Sequence, residues 1–173
     1  MRRSPRRFPH DTPSEPRHKE VFPVEFKIPL PLRVEHEELH NMLRKATKEP
    51  GEIGDAAKVV AKLMHPHFLK EEEYALPPLG LLPDLAQGKV IPDMKEVLGL
   101  TDRLKADLSQ MLGEHKAIVA ALEKLSAAAK KANKLEYMEF AKALILHAET
   151  EEEVSYPTAI LIGEYIREKL RLS

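Results

Sequence analysis

Two short stretches of this chain carry residue types and spacing suited to coordination chemistry. His67-Phe68-Leu69-Lys70-Glu71-Glu72-Glu73 and His147-Ala148-Glu149-Thr150-Glu151-Glu152-Glu153 share the order His-x-x-x-Glu-Glu-Glu. Each reaches a proline ten residues after its histidine, at Pro77 and Pro157. On a helix, residues four apart lie on one face, about 40° from each other. Each stretch therefore aims one imidazole and one carboxylate at the same point. Convergent nitrogen and oxygen donors are what a metal ion needs. Two matching pairs imply two ions, or one site shared by two halves of the chain.

The pattern extends upstream. Glu35-His36 and Glu114-His115 each open an apolar helical pattern, with His36 standing 31 residues before His67 and His115 standing 32 before His147. The chain thus repeats at about 80 residues, each half a helix with one histidine and then a helix with His-x-x-x-Glu. Such a period is too long for a solenoid and suits a duplicated helix pair.

The elements that must hold these residues follow from the apolar spacing. Residues 1 to about 30 contain six of the fourteen prolines, with Arg2, Arg3, Arg6 and Arg7. Proline removes amide donors and apolar residues are few, so this segment is expected to be a flexible tail that extends near Val21–Phe26. The expected bundle domain is 31–173. Helix 1 is expected from near Pro31 to Lys48, with Leu32, His36, Leu39, Leu43 and Ala46 inward. His40 lies one turn from His36, where it supports the site or faces solvent. Helix 2 is expected over about 52–75, with Ile53, Ala57, Val60, Met64, His67, Glu71 and Tyr74 on one face, a kink at Pro66 and His65 on the surface. Residues 77–93 form a long connection whose leucines should pack on the bundle. Helix 3 is expected from about Met94 or Thr101 to Lys131, with Val97, Leu104, Leu108, Met111, His115, Ile118, Leu122 and Leu125 inward. Helix 4 spans about 134–156 with Tyr137, Phe140, Leu144, His147, Glu151 and Val154 inward, and Pro157 ends or bends it. A short fifth helix covers about 158–172. No strand alternation appears, so the fold class is all-α, an antiparallel (up-down) four-helix bundle.

Each inward stripe carries a histidine and two carry a glutamate. Burying two carboxylates without partners costs several kcal/mol each, which a helical core accepts only around a cation. Glu72 and Glu73 rotate about 100° and 200° from Glu71, toward solvent or behind the histidines. Four imidazoles and two carboxylates without sulfur suit iron, manganese or zinc. The pseudo-symmetry favours two ions, and shared glutamates would leave positions open for a small ligand, unlike a closed structural zinc site.

Composition excludes much else. The chain has 173 residues and a net charge of -1, so no global field favours nucleic acid or an anionic membrane. The absence of cysteine removes disulfides, thiolate ligands and thiol catalysis, and leans toward the cytoplasm. No apolar run approaches a membrane span. No Gly-rich phosphate loop or nucleophile motif is present, so an enzyme working through two metals is the minority reading.

The ordered set Glu35-His36, His67-x-x-x-Glu71 with its following glutamates and Pro77, Glu114-His115, and His147-x-x-x-Glu151 ending in Tyr156-Pro157 resembles the hemerythrin-like HHE cation-binding family over about residues 30–172. The resemblance implies a four-helix bundle with a non-haem di-iron centre ligated by His36, His67, Glu71, His115, His147 and Glu151. The two glutamates would bridge, and manganese or zinc would be the alternatives to iron. It also implies binding of dioxygen, nitric oxide or peroxide, or sensing of iron or redox state. The oxygen-carrying members place another histidine four residues from the one on helix 3. Here Met111 and Val119 stand at that spacing, which counts against reversible dioxygen carriage. The alternative function is a non-catalytic module that metal merely stabilises. Metal affinity is expected to fall as pH drops through about 6.5 toward 5, where free histidine protonates.

Overall fold

The structure, a computed structural model, describes residues 26–171. The expected tail therefore lies, for residues 1–25, outside the described residues. Every regular element among the described residues is helical. Helix α1 spans Leu30–Ala46, α2 Glu52–Lys70, the short α3 Leu82–Ala86, α4 Val97–Lys131, α5 Leu135–Thr150 and α6 Tyr156–Lys169. No helix among the described residues is long and apolar enough to cross a membrane.

Local chemistry sets the ends. Pro31 sits in the first turn of α1, where its missing N–H costs nothing, and Arg44 and Lys45 face the negative end of the same helix. Gly51 takes φ 70 between α1 and α2, a left-handed turn that a side chain would resist. Helix α2 continues through Pro66 without losing its helical assignment. The connection after α2 is more ordered than a plain loop. It holds a 3-10 turn at Pro77–Leu81, then α3, then a second 3-10 turn at Pro92–Glu96. Pro77, Pro78, Leu79 and Leu81 are buried, so the connection does pack on the bundle. A Cβ on Gly80 would lie 2.1 Å from the Lys27 carbonyl oxygen, so only glycine lets the segment before α1 approach this close.

The core is two apolar clusters with the polar residues between them. One gathers Leu43, Val60, Phe68, Ile118, Leu122, Leu125, Phe140 and Leu144. The other gathers Tyr74, Leu76, Met94, Leu104, Met111, Tyr156, Ile162 and Ile166. On α4 the order is Met111 in one cluster, His115, then Ile118 in the other. The histidines thus sit at mid-length, with apolar packing on both sides to keep water out and hold the rotamers.

Two predicted helices differ from regular α geometry at the same relative place. Glu71–Ala75 and Glu151–Ser155 are π turns. The Leu76 N–H donates to the Glu71 carbonyl, and the Tyr156 N–H to the Glu151 carbonyl, each across five residues. The extra residue per turn corrects one expectation. Val154 is 57% exposed rather than inward, and Ser155 and Tyr156 are buried in its stead. The chain passes from α5 through this turn into α6 as one helical run, so Pro157 does not end the helix.

Candidate metal centre

All six sequence-predicted donors meet at the centre of the bundle. His36 comes from α1, His67 from α2, His115 from α4 and His147 from α5, with Glu71 and Glu151 opening the two π turns. Each is at most 4% exposed. They form two groups that share both carboxylates: His36, His147, Glu71 and Glu151, and His67, His115, Glu71 and Glu151. Within each group the donor atoms lie within 4.8 Å of one another.

Each carboxylate turns one oxygen to each group. Glu71 Oε1 lies 2.7 Å from His67 Nε2 and 3.8 Å from His115 Nε2, while its Oε2 lies 3.9 Å from His36 Nε2. Glu151 Oε2 lies 3.5 Å from His115 Nε2, while its Oε1 lies 3.6 Å from His36 Nε2 and 3.3 Å from His147 Nε2. The four Nε2 atoms therefore point inward. The four Nδ1 atoms point outward, and each meets a further carboxylate. Glu114 Oε2 is 2.8 Å from His67 Nδ1, Glu152 Oε1 2.9 Å from His115 Nδ1, Glu35 Oε1 3.3 Å from His147 Nδ1 and Glu72 Oε1 3.8 Å from His36 Nδ1. At His67 and His115 that carboxylate is hydrogen-bonded to Nδ1, which holds the proton there and leaves Nε2 free to bind a cation; at His36 the Glu72 oxygen stays beyond hydrogen-bond reach.

A comparison with protein families gives this geometry a context. The model of the hemerythrin HHE cation binding domain matches residues 31–159. The chain belongs to that family. No curated protein and no solved structure matches the chain.

The donor set of this HHE domain fits a cation. Among the described residues, five buried side-chain atoms lack a hydrogen-bond partner: His36 Nδ1 and Nε2, His147 Nε2, Glu71 Oε2 and Glu151 Oε1. All five belong to the centre. An orphaned buried polar atom costs about 1–3 kcal/mol, so a cluster of them around two shared carboxylates is stable only with positive charge among them. Without a metal, protons supply that charge. Burial is the largest single influence on His115 and lowers its pKa, but hydrogen bonds donated to Glu151, Glu71 and Glu152 together outweigh it and hold the ring at about 10. His147 reaches about 9 in the same way, with Glu151 the main partner. Burial raises the Glu151 carboxyl, yet His115, His147 and His36 together pull it well below the usual carboxylate range.

The neighbours of the HHE centre settle the remaining sequence expectations. His40 stands outside both donor groups, with its ring 4.2 Å from Phe68, and burial lowers its pKa. The same Phe68 packs 4.9 Å from the His36 ring. His65 is exposed, as expected. Glu73 pairs with Arg103 at 2.7 Å, on the surface.

Sequence reasoning passed over three kinds of residue. Glu35 and Glu114 were read as companions of the histidines without a role; their position next to His36 and His115 in both halves was the signal. Glu72 is read as solvated or behind the histidines and Glu152 is given no place; the structure adds that they reach His36 and His115 respectively. Tyr156 was counted only as part of the family pattern. Its hydroxyl donates to Glu71 Oε1 at 2.7 Å, because the π turn sets it one turn above Glu151.

Proposed function

We propose that this HHE domain is a non-haem di-iron protein that binds dioxygen, nitric oxide or peroxide and serves as a sensor or scavenger. The observation that carries the reading is the pair of donor groups built on shared Glu71 and Glu151, with two imidazoles in each. Nitrogen and oxygen donors without sulfur suit iron, manganese or zinc, and the family resemblance puts iron first. On this reading His36 and His147 would hold one ion and His67 and His115 the other, with Glu71 and Glu151 serving both. When bound, the ions would supply electron transfer and open coordination positions for a small ligand.

The chain's own residues do the rest. The apolar clusters above and below the centre exclude water. Glu35, Glu72, Glu114 and Glu152 orient the imidazoles. The chain from residue 31 onward acts as one up-down bundle domain, and the cytoplasm is the compartment that a cysteine-free sequence suits best.

Protein purified from iron-supplied cells should contain about two irons per chain, two being the number of donor groups. Its near-ultraviolet and visible spectrum should change between reductant and air. A folded protein that takes up no iron under these conditions would overturn the reading. Full iron loading with a spectrum indifferent to air, reductant and nitric oxide would leave the metal as a stabiliser of the bundle.

A further inference from the structure

The two donor groups are not equivalent, and Tyr156 makes the difference. Its side chain is fully buried, and its hydroxyl oxygen lies 2.7 Å from Glu71 Oε1, 3.4 Å from His115 Nε2, 3.5 Å from His67 Nε2 and 3.5 Å from Glu151 Oε2. Those are both imidazoles of one group and the carboxylate oxygens turned toward it; neither His36 nor His147 is among them. Metal–nitrogen and metal–oxygen bonds of about 2.0–2.2 Å put neighbouring ligands about 3 Å apart around an ion, and opposite ligands about 4 Å apart. The hydroxyl thus stands as an adjacent ligand to all four donors at once. Its ring is fixed there by stacking on His115, with centroids 5.7 Å apart and planes 19° from parallel.

The other half of the chain offers no counterpart. The residue one π turn after Glu71 is Leu76, which has no donor atom. Among the described residues, the buried side-chain polar atoms left without a hydrogen bond are all on the His36–His147 side, whereas Tyr156 touches every Nε2 and carboxylate oxygen of the opposite side.

We propose that Tyr156 is a fifth protein ligand, as phenolate, to the ion held by His67, Glu71, His115 and Glu151, and that exogenous ligands bind the other ion. The inference rests on the proposed iron centre. As the oxygen–metal bond forms, the O–H bond breaks and the proton leaves to solvent; no electron moves.

The test loads the full chain with iron(III) and records iron content, visible absorption and resonance Raman spectra for the wild type, Tyr156→Phe and Tyr74→Phe. The expected result is a phenolate-to-iron(III) absorption with enhanced tyrosinate ring vibrations, kept in Tyr74→Phe and lost in Tyr156→Phe. Should Tyr156→Phe fail to fold, the wild type and Tyr74→Phe still decide the matter, since the Tyr74 hydroxyl is engaged by Asp107 and Met111 instead. Two bound irons without a tyrosinate signature would overturn the ligation and leave the iron centre standing. A signature that survives Tyr156→Phe would do the same. No bound iron would remove the centre itself, and the ligation with it.

Discussion

At the scale of single residues, the centre is a contest between protons and metal for the same nitrogen atoms. His115 and His147 are raised to about 10 and about 9 in the folded, metal-free chain, against about 6.5 unfolded. The stability they contribute is complete below about pH 6.5 and is lost as pH rises through about 9 and about 10. Glu151, depressed when folded, contributes in the opposite sense: fully above about 4.5, and progressively less as pH falls toward its lowered value. The metal-free protein should therefore melt at its highest temperature between about pH 4.5 and 6.5, on the acid side of neutrality. Thermal scans of chelator-treated protein should show melting fall steadily from pH 6 to pH 10, and iron-loaded protein should lack that fall. Proton competition also extends further than free histidine would suggest, so metal affinity should keep rising above pH 7 instead of levelling off there. A second expectation concerns Glu114, which accepts from His67 Nδ1 and pairs with Lys70. Burial raises its carboxyl, but His67, Lys70 and Gln110 together hold it at about 2. Glu114→Gln should weaken iron binding by about 10–100-fold, measured by competition with a chelator, with little change in the helical signal.

At the scale of elements, what the sequence revealed and what it hid can be separated. Helical periodicity located α1, α2, α4 and α5 to within a few residues, because each buries a continuous apolar stripe. The six donors were legible for the same reason: a histidine or glutamate in a stripe of leucines is conspicuous. The π turns were not legible. A 3.6-residue period puts residue i+5 about 140° from residue i, which is why Tyr156 was not assigned to the centre and Val154 was wrongly turned inward. Nothing in Glu-Glu-Glu-Tyr-Ala or Glu-Glu-Glu-Val-Ser announces a five-residue hydrogen bond. After the second of these turns α6 packs against α4. That packing is close. A Cβ on Gly163 would lie 2.2 Å from Thr101 Oγ1, so Gly163→Ala should destabilise the fold by about 1–3 kcal/mol in denaturant titration. The halves also differ beside the histidines. Phe68 follows His67, but Ala148 follows His147, and a cleft of about 360 Å³ bordered by Ala148, Val119 and Glu152 reaches His115. This cleft ends on the Tyr156 side of the centre, so Ala148→Phe should leave both the iron content and the spectral response to nitric oxide at the wild-type level; a slowed response would place the ligand entrance here.

At the scale of the whole molecule, ions bound as proposed would tie together the four helices that carry His36, His67, His115 and His147. An ion that binds only the folded chain stabilises it by RT ln(1 + [L]/Kd), about 4 kcal/mol when free metal exceeds the dissociation constant a thousandfold. Iron removal at neutral pH should thus lower the melting temperature by many degrees while leaving the chain helical. The Gly80 cradle bears on a different matter, the handling of the protein at the bench. Because the Lys27 carbonyl nests where any side chain at position 80 would stand, the strand of backbone ahead of α1 serves as a clasp over the 77–81 corner. Shortened versions made for crystallisation should retain Lys27, since trimming past it would bare buried prolines and leucines and invite aggregation.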